Sequence, residues 1–472
     1  MVFPLAPVAS TTAFREKLVD MSVFSSRYPP KSHASSSIED VLRGSGAPGI
    51  FNSSEVLDED YGIYNWCNMP HVRATEYPFP SPDYTLEYVE VVHRHHKRTP
   101  YRGNIFPEED ITWDCSSDRP YHYARNASGP ANQVVPISWQ GVRDEVNPWA
   151  AAAPVGFKGS NCQFPQVTAE SIVDAQIHGE HLREVYHDRL GFLPAHHNQS
   201  EMVFRVTNNE ITSQVLGGIA KGLYPDLNDL VANIQSPAFD SLEPAFSCKL
   251  ADQLRANYTG PGTPWAAHLQ AASDVFDELD AVSGILRHDN GGWHTSFDHY
   301  YDNLSAKQCH SKALPCNSGD TGVCVNQELA NTVYRLGQFE YSYLFRDAKN
   351  STAYSTLRSG PWMMEVKDHI ESRTAGSSVK YRHNIAHDGS LAALLGFLQI
   401  DQMVWPGMGA EIVFEVWKKD GSARFVRVLW GGQPMRTSTP LGTLSMVALE
   451  DFLAFLDASI PEDMIELCSR SA

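Results

Sequence analysis

TLEYVEVVHRHHKRTP, residues 85–100, decides the fold because an apolar β-strand runs directly into a cluster of cations. The first eight residues are rich in β-branched and aromatic side chains, which is typical of a buried strand. Histidine, arginine and lysine fill residues 93–98, and Pro100 ends the regular structure. So much positive and titratable chemistry at the carboxyl end of a strand indicates a binding site at the edge of a sheet.

Two more segments repeat the pattern of an apolar strand that ends in polar side chains. MVFRVT (202–207) precedes Asn208 and SVKYRHNIA (378–386) precedes His387, and helical patterns follow both segments. Strands alternating with helices predict an α/β fold, with a mostly parallel sheet and helices on both of its faces. Ligands bind beyond the carboxyl ends of the strands in such sheets, which is where these polar clusters lie.

The rest of the chain predicts a hairpin and an insertion. EIVFEVWKKDGSARFVRVLW (411–430) contains two alternating runs joined by Asp420-Gly421, which is a strong hairpin signal. Between the second and third strands, amphipathic stretches and loops that carry cysteines indicate a helical cap. The predicted units are an N-terminal extension at 1–50 with an atypical signal and a linker, a discontinuous α/β core at 51–215 and 351–472, and the cap at 216–350.

Charge and hydropathy exclude several classes of partner. The 472 residues carry a formal net charge of −19, which repels polyanions, so we expect no binding of nucleic acids or anionic membranes. The sequence contains no apolar run of about 18 residues, so we expect no membrane span. An anion site must therefore be a local basic pocket.

Cysteines and glycosylation sequons indicate the secretory pathway. The eight cysteines form no CxxC pair, and the group of Cys309, Cys316 and Cys324 beside His310 matches no zinc spacing, so we expect disulfides. The six Asn-x-Ser/Thr sequons begin at Asn52, Asn126, Asn198, Asn257, Asn303 and Asn350. These features together predict a secreted, disulfide-bonded glycoprotein.

The cluster after the first strand has the residue types of a phosphate site. Arg94 and Arg98 are four residues apart across a predicted strand-to-helix turn, so both guanidinium groups can converge on one anion. His95 lies between them, where a neutral imidazole can attack phosphorus in line and form a phosphohistidine. The cluster therefore predicts covalent phosphoryl transfer.

Two other interpretations of the same cluster stay open. A run of cations can be a solvated basic face, although this one ends an apolar strand. A metal site built from His93, His95 and His96 is the second alternative, and the two arginines and Lys97 disfavour it because they repel a cation. We expect neither a metal nor a cofactor.

IAHDGSLAALL (385–395) supplies the second cluster, with His387 and Asp388 ahead of a helix whose N-terminus favours anions. A nearby phosphate raises the pKa of an aspartate, so Asp388 can protonate a leaving alkoxide while His387 binds a phosphate oxygen. An aspartate before a helix can equally be a simple N-cap, so this pair is informative only beside the first cluster.

Together these motifs resemble the histidine acid phosphatases, branch 2 of the histidine phosphatase superfamily. RHHKRTP is similar to the RHGxRxP signature of the family, AHDGSL to its distal HD motif, and FRVTNNEITSQVLGGIAKGL to its RSTxxxRTxxS strand and helix. The likeness runs in order from about residue 80 to 456 and is closest to the fungal acid phosphatases and the 2-phosphoxylose-phosphatase-like branch. It implies a phosphoglycerate-mutase-like core with a cap domain.

The resemblance also implies a role for each matching position. His95 would be the nucleophile and Asp388 the proton donor. The residues around the phosphate would be Arg94, Arg98, Arg205 and His387.

Three positions depart from the family pattern. His96 stands where a glycine usually follows the nucleophile, so either the loop bends differently or His96 contacts the substrate. Ile211 replaces a second arginine and Ser171 a glycine, and neither change removes a catalytic group. Lys97 and Arg102 are two further candidate substrate contacts.

The sequence therefore predicts an acid phosphatase that hydrolyses a small phosphate monoester, such as a sugar phosphate, an inositol phosphate or a phosphoglycan. The alternative is a catalytically inactive protein of the same fold that binds phosphate or a phosphosugar, in which His96 has altered the turn. A phosphomutase is a third hypothesis, which the cap and the secretory features disfavour.

Overall fold

The computed structural model describes residues 21–24, 27–30, 37–46, 49–55, 57–116, 121–125, 134–138, 141–142, 146–151, 159–288, 291–419 and 421–470. Its strands are β1 (Tyr84–Arg94), β2 (Tyr121–Arg125), β3 (Val134–Ser138), β4 (Met202–Val206), β5 (Ala232–Asn233), β6 (Tyr381–Ala386), β7 (Glu411–Lys419), β8 (Arg424–Trp430), β9 (Gln433–Pro434) and β10 (Val447–Ala448).

The α-helices are α1 (Ile38–Leu42), α2 (Pro148–Ala151), α3 (Ala169–Arg183), α4 (Glu210–Leu223), α5 (Lys249–Thr259), α6 (Pro264–Ala271), α7 (Ser273–Ser283), α8 (Asp298–Cys309), α9 (Gln327–Ser342), α10 (Ser351–Thr374), α11 (Asp388–Phe397), α12 (Leu449–Ser459) and α13 (Met464–Ser469). Turns of 3₁₀-helix lie at Met21–Val23, Asp58–Asp60 and Arg102–Asn104, and π-helical turns extend α3 at Glu184–Arg189 and α9 at Tyr343–Asp347.

The main sheet has the strand order β10-β8-β7-β1-β6-β4-β5, with β9 paired to β8. β1, β6, β4 and β5 are parallel neighbours and form its centre. β7 pairs antiparallel with β1 and β8 antiparallel with β7, which is the predicted hairpin, although Asp420 of its turn lies outside the described residues. β2 and β3 form a separate antiparallel pair. The predicted α/β class is confirmed.

β1 is buried on both of its faces, which explains its nearly continuous apolar run. Val89 and Val91 pack in the core beneath α3 and α4. Tyr88 and Val92 pack in the core on the opposite face, against α10, α11 and α12. Successive side chains within β1, from Tyr88 to Val92, therefore point to opposite faces of the sheet.

β1 is not followed directly by an α-helix, which corrects the predicted strand-to-helix turn. Residues 95–97 have no regular structure, Arg98 forms a single bridge with Val167, and only the 3₁₀ turn Arg102–Asn104 follows. The reason is local, because the ring of Pro100 disfavours helical geometry in the residue before it.

The segment predicted as a cap contains α5 to α9. Tyr300 and Tyr301 of α8 and Tyr334 of α9 pack with Phe51 and Trp66 in an aromatic core. This core joins the helical segment to the loops that precede β1.

The predicted cap boundary between residues 215 and 216 falls inside α4. α4 packs closely on α3, since a Cβ atom at Gly179 would lie only 2.3 Å from the carbonyl oxygen of Ile219. α4 also buries Val215 and Ile219 beneath the sheet, so the whole helix belongs with the core.

The eight cysteines form four disulfides, which fits a protein of the secretory pathway. The pairs are Cys67–Cys309, Cys115–Cys162, Cys248–Cys468 and Cys316–Cys324. No helix among the described residues is long and apolar enough to cross a membrane.

Not every sequon is available in the folded chain. Asn303 is fully buried, and its side-chain amide donates to the carbonyl oxygen of Asn104 at 2.7 Å. We therefore expect no glycan at Asn303 in the folded protein. Asn126 and the apolar N-terminal segment at residues 1–10 lie outside the described residues.

Candidate active site

The ends of β1 and β6 bring the two predicted clusters together. Arg94 pairs with Ala386 across the sheet, and the backbone N–H of His95 donates to the carbonyl oxygen of Ala386 at 3.0 Å. The next residue is His387, whose ring centroid lies 5.4 Å from that of His95. Parallel neighbours end at the same edge, so residues far apart in the chain share one site.

His95 is held as a neutral imidazole with one nitrogen available. Its Nδ1–H donates to the carbonyl oxygen of His96 at 2.9 Å, which leaves the lone pair on Nε2. Burial and the positive charges of Arg94 and Arg98, with a smaller contribution from His387, hold the pKa of His95 well below its ordinary value. The side chain is only 1% exposed. A neutral, oriented imidazole is the form that acts as a nucleophile.

Arg94 connects the nucleophile strand to Asp388. Its guanidinium forms an ion pair with Oδ2 of Asp388 at 3.0 Å and donates to the carbonyl oxygen of Pro406 at 2.8 Å. The same guanidinium stacks over Trp66, with 4.6 Å to the ring centroid. Arg94 is thus fixed by several contacts, and only its ion-pair partner is a group that a phosphate could replace.

Asp388 is the first residue of α11 and is ionised in this arrangement. Oδ1 accepts from the backbone N–H of Gly389 at 2.7 Å, and Oδ2 accepts from the indole N–H of Trp405 at 3.0 Å. Burial raises the pKa of Asp388, but Arg94 and the Trp405 hydrogen bond outweigh it, so the pKa lies below its ordinary value. Asp388 accordingly carries no proton at neutral pH before an anion binds.

Arg98 is buried and paired with a carboxylate. It donates to Oδ1 of Asp302 at 2.9 Å and to the carbonyl oxygen of Thr99 at 3.0 Å, and it stacks on Tyr101. Asp302 also accepts from the backbone N–H of Tyr101 at 2.9 Å and from the amide of Asn104 at 2.7 Å. Asp302 therefore orients Arg98 and balances its charge.

In this structure the guanidinium of Arg205 binds two carboxylates, an amide and a hydroxyl group. It contacts Asp240 at 2.7 Å and Glu365 at 2.6 Å, and it donates to Gln235 at 2.7 Å and to Ser241 at 3.0 Å. Arg205 of β4 is opposite Asn384 of β6, whereas Arg94 of β1 is opposite Ala386, two residues further along β6. Within the described residues, none of its hydrogen bonds or ion pairs reaches His95 or Asp388. The sequence prediction that Arg205 is the third guanidinium around the phosphate therefore stays a prediction, and its carboxylate partners in this structure are Asp240 and Glu365.

His387 is held by the end of β4 and by the loop before α5. Its Nε2 lies 2.9 Å from Oγ1 of Thr207 and 3.5 Å from Oε1 of Glu243. The hydrogen bond from His387 is the largest influence on Glu243 and lowers the pKa of that carboxyl. Like the three arginines, His387 has a carboxylate beside it where a phosphate oxygen could lie.

A cavity of about 570 Å³ opens over His387 and Asp388. Its aromatic walls are Tyr101, Phe246, Phe345 and Tyr354. Glu243 and Asp252 also line it, and the guanidinium of Arg358 is paired with Asp252 and with the carbonyl oxygen of Phe246. The cavity is therefore lined by rings and by carboxylates, while the arginines of the first cluster lie buried beneath it.

The three candidate substrate contacts lie in different places. His96 is fully buried on the other side of β1, with Nε2 at 3.3 Å from Nδ1 of His178, so it presents no atom to the cavity. Lys97 is buried between Glu170 (3.1 Å) and Asp174 (3.3 Å), also away from the cavity. These two predictions are not met in this structure, because residues 95–97 leave β1 without regular structure and the chain there turns the side chains of His96 and Lys97 toward α3. Arg102 is exposed in the 3₁₀ turn after β1 and stays a candidate.

Asp298 is an acidic group that the sequence analysis missed. Desolvation by the surrounding protein, with the negative charges of Asp302, Asp388 and Glu340, raises the pKa of Asp298 to about 7, although half of the side-chain surface is accessible. Asp298 and Asp302 are four residues apart on α8 and share one face of the helix. That spacing was the available signal, but nothing in the sequence placed α8 beside the first cluster.

A comparison with protein families finds one match over most of the chain. The model described as "Histidine phosphatase superfamily (branch 2)" matches residues 85–430. Two curated relatives carry the name 2-phosphoxylose phosphatase 1. The Danio rerio protein is 24% identical over 453 residues, covering 87% of this chain and 86% of its own length. The human protein is 21% identical over 397 residues, covering 82% of this chain and 78% of its own length.

Solved structures share the fold at low sequence identity. Hafnia alvei phytase in complex with tartrate aligns with a TM-score of 0.51 at 14% identity, covering 82% of this chain and 99% of that chain. A Bifidobacterium longum multiple inositol polyphosphate phosphatase bound to inositol hexasulfate aligns with a TM-score of 0.50 at 11% identity. The alignment covers 84% of this chain and 98% of that chain. These likenesses support the α/β fold with its helical segment.

Proposed function

Because the chain belongs to the histidine phosphatase superfamily (branch 2) and is a phosphatase of that family, we propose that it hydrolyses phosphate monoesters through a phosphohistidine on His95. The observation that carries this mechanism is the state of the imidazole. His95 is neutral, its Nδ1–H is fixed on the carbonyl oxygen of His96, and its Nε2 is left for attack between two arginines. Asp388 is the proposed proton donor.

Substrate binding exchanges one anion for another. The phosphoryl group takes the place of the Asp388 carboxylate on Arg94 and approaches Arg98 and His387, each of which has a carboxylate partner in the absence of substrate. The buried guanidinium groups thus keep an anionic partner throughout, which avoids the large free energy of an unpaired buried charge.

The first chemical step forms a bond between His95 Nε2 and phosphorus and breaks the ester P–O bond. The Nδ1–H bond to the His96 carbonyl stabilises the positive imidazole ring that results. The alkoxide that leaves takes a proton from Asp388. Asp388 carries that proton because it has lost its contact with Arg94 and lies beside a phosphate anion, and both changes raise its pKa.

The second step returns the enzyme to its initial state. A water molecule attacks the phosphohistidine, Asp388 accepts a proton from that water, and inorganic phosphate leaves with the N–P bond electrons returned to His95. Both steps use only groups of this chain, and both require Asp388 to change its protonation.

The cavity favours a substrate with a single phosphate group. Glu243 and Asp252 line it, and its guanidinium, Arg358, is already paired. Carboxylates repel additional phosphate groups, whereas Tyr101, Phe246 and Tyr354 offer flat apolar surfaces to a sugar ring. The curated relatives are named for a phosphorylated xylose, which supports a sugar or glycan monophosphate as the substrate class.

Substrate preference can be measured directly. We expect kcat/KM for a 2-phosphorylated pentoside to exceed that for inositol hexakisphosphate by at least about tenfold, because of like-charge repulsion in the cavity. Asp252→Asn should narrow this ratio, while Asp226→Asn, at an exposed position outside the cavity, serves as the control. A wild-type enzyme that prefers the hexakisphosphate would refute the substrate class and leave the mechanism in place.

The mechanism is tested by trapping the intermediate. Wild-type protein, His95→Ala and Asp388→Asn are mixed with ³²P-labelled p-nitrophenyl phosphate, whose leaving group needs no proton, at pH about 5, quenched in alkali, and examined for acid-labile label on a histidine peptide. We expect no turnover in His95→Ala and accumulated label on His95 in Asp388→Asn. Full activity in His95→Ala would reject the mechanism. Phosphate binding without turnover by the wild-type protein would favour the inactive binding protein instead.

We also propose that the protein passes through the secretory pathway. Four disulfides and the exposed sequon asparagines Asn52 and Asn257 support it. Expression in a eukaryotic host with and without a glycosidase digest would show a mass shift if glycans are present.

A further inference from the structure

A cluster of buried histidines lies on the other side of β1 from the proposed nucleophile. His93 and His96, before and after the end of that strand, meet His178 of α3, and all three side chains are fully buried. One ring nitrogen from each lies within 4.8 Å of the others. Three imidazoles that converge without solvent contact are the donor set of a transition-metal site.

The outer hydrogen bonds already orient two of these rings. Nδ1–H of His93 donates to the carbonyl oxygen of Arg94 at 2.7 Å, which leaves a lone pair on Nε2. Nε2 of His178 bonds to the Glu411 carboxyl group at 2.9 Å, which leaves Nδ1 facing the cluster. A carbonyl or carboxylate on the far nitrogen is the usual support of a metal-binding histidine.

The distance between His96 and His178 also fits coordination. Their Nε2 and Nδ1 atoms are 3.3 Å apart, which is long for a hydrogen bond. With metal–nitrogen bonds of about 2.0–2.1 Å, neighbouring ligands of a tetrahedral ion are about 3.3 Å apart. Nδ1 of His96 has no hydrogen-bond partner among the described residues, so a hydrogen-bonded network leaves this ring poorly satisfied.

A fourth imidazole is next to the three. Nε2 of His383 on β6 lies 2.8 Å from Nε2 of His93, and the Nδ1 atom of His383 bonds to the hydroxyl of Tyr381 at 2.8 Å. This contact is about half an ångström shorter than the ligand spacing given above, so His383 has to withdraw from Nε2 of His93 when an ion binds. The three converging rings of His93, His96 and His178 alone define the site.

From the sequence, a metal site is disfavoured because Arg94, Lys97 and Arg98 repel a cation, and the fold neutralises these three charges. Arg94 turns to Asp388, Arg98 to Asp302, and Lys97 to Glu170 and Asp174, so each nearby cation is paired with a carboxylate. The sequence expectation that these cations repel a metal did not include their carboxylate partners. Lys97 lies on the same side as the histidines, but Glu170 and Asp174 of α3 balance its charge. His95, which was the third member of that predicted set, lies instead beside His387.

The protonation states are compatible with a cation. Burial holds the pKa of His96 and His178 well below its ordinary value, so both rings are neutral and can ligate.

We propose that His93, His96 and His178 bind one divalent first-row transition-metal ion, most favourably Zn²⁺. The ion ties α3 to the end of β1 beneath the site. Because His96 also provides the carbonyl that orients His95, the metal is a structural element that steadies the nucleophile loop without contacting the substrate.

The test compares two matched variants. His96→Gly removes a ligand and introduces the residue that the family usually carries there, and His196→Gly makes the same change at an exposed loop position outside the cluster. The full chain is produced with zinc in the medium, dialysed against metal-free buffer and analysed by inductively coupled plasma mass spectrometry. We expect about one zinc per chain in the wild type and in His196→Gly, as for a structural site, and at most a tenth of that in His96→Gly.

Two further measurements keep the test decisive if His96→Gly is unstable. Co²⁺ added to the metal-depleted wild type should produce the visible absorption of tetrahedral coordination, and His178→Asn should lose it while keeping its far-ultraviolet circular dichroism. Zn²⁺ should raise the Tm of the depleted wild type and not that of His178→Asn. A wild type that holds less than a tenth of a zinc per chain, or a His96→Gly protein that holds as much as the control, would overturn the proposal.

Discussion

Replacing Asp388 with asparagine should separate phosphate binding from catalysis. In the free protein the Asp388 carboxylate occupies Arg94 at 3.0 Å, and an incoming phosphate must displace it. A hydrogen bond to a charged group contributes about 1.5–3 kcal/mol. Removing this competitor should therefore tighten the binding of inorganic phosphate by about 10- to 100-fold at pH 7.

The same substitution should slow catalysis in a way that depends on the leaving group. A positioned general acid contributes about 10²–10⁴ to the rate. In single-turnover measurements of the step that phosphorylates His95, we expect a loss of that size with a sugar phosphate, whose alkoxide needs a proton. The loss in the same step should be much smaller with p-nitrophenyl phosphate, whose phenolate leaves without one.

The pH dependence of the binding gain follows from the lowered pKa of Asp388. Above that pKa the wild-type carboxylate competes with phosphate, and below it the protonated side chain does not. The ratio of phosphate affinities between Asp388→Asn and the wild type should therefore be largest at neutral pH. It should approach one as the pH falls through the lowered pKa of Asp388. Isothermal titration with phosphate at several pH values measures this.

Asp226→Asn, at an exposed position outside the cavity, is the control for these measurements. Phosphate affinity that is unchanged in Asp388→Asn would show that Asp388 does not compete for Arg94. An equal loss of the phosphorylation rate on the sugar phosphate and on p-nitrophenyl phosphate would show that Asp388 is not the proton donor.

Three further outcomes are expected. Arg205→Ala should lower the free energy of unfolding by about 3–5 kcal/mol in urea titrations, because Asp240 is left buried without its partner at 2.7 Å; a change below about 1 kcal/mol would contradict this. Asp298→Asn should shift the basic limb of the plot of kcat against pH, because Asp298, with its pKa of about 7, titrates beside Asp302 and Asp388; an unchanged profile would exclude Asp298 from proton transfer. In metal-depleted protein Glu411 has a raised pKa of about 8, so the folded state binds more protons than the unfolded state from about pH 4.5 to 8, and stability should fall as the pH rises through that window. Urea midpoints across pH should show a weaker fall in Glu411→Gln, and equal slopes in the two proteins would contradict the assignment.

Much of the fold was predictable because its signals are local. The apolar runs of β1, β4 and β6 have strand length and strand composition, and the β7–β8 hairpin is marked by its turn residues. The 3₁₀ turn after β1 was not foreseen, because the strand-to-helix pattern was extended to a segment that Pro100 interrupts. The boundary within α4 was misplaced for a different reason, since one amphipathic helix can serve a core or a cap and only its packing on α3 decides.

The candidate site was predictable in part. His95, Arg94, His387 and Asp388 meet because parallel neighbouring strands end at one edge, and that rule needs only the order of the strands. The carboxylates that pair with the arginines were not foreseen. Asp302 lies 204 residues from Arg98 and comes from a helix of the segment predicted as a cap, and no local pattern encodes that approach.

The sequence by itself determined the α/β class, the identity of the strand ends and the chemical types gathered there. These follow from the period of side chains along a strand and from hydrophobic burial, which act over a few residues. The tertiary structure alone decided which side of β1 each of the adjacent cations and histidines takes. It placed Arg94 and His95 beneath the cavity, and it placed His93 and His96 with His178 in a separate buried cluster. The physical reason is that pairing between distant residues depends on how helices cover the two faces of the sheet, and this information is not contained in any short stretch of the chain.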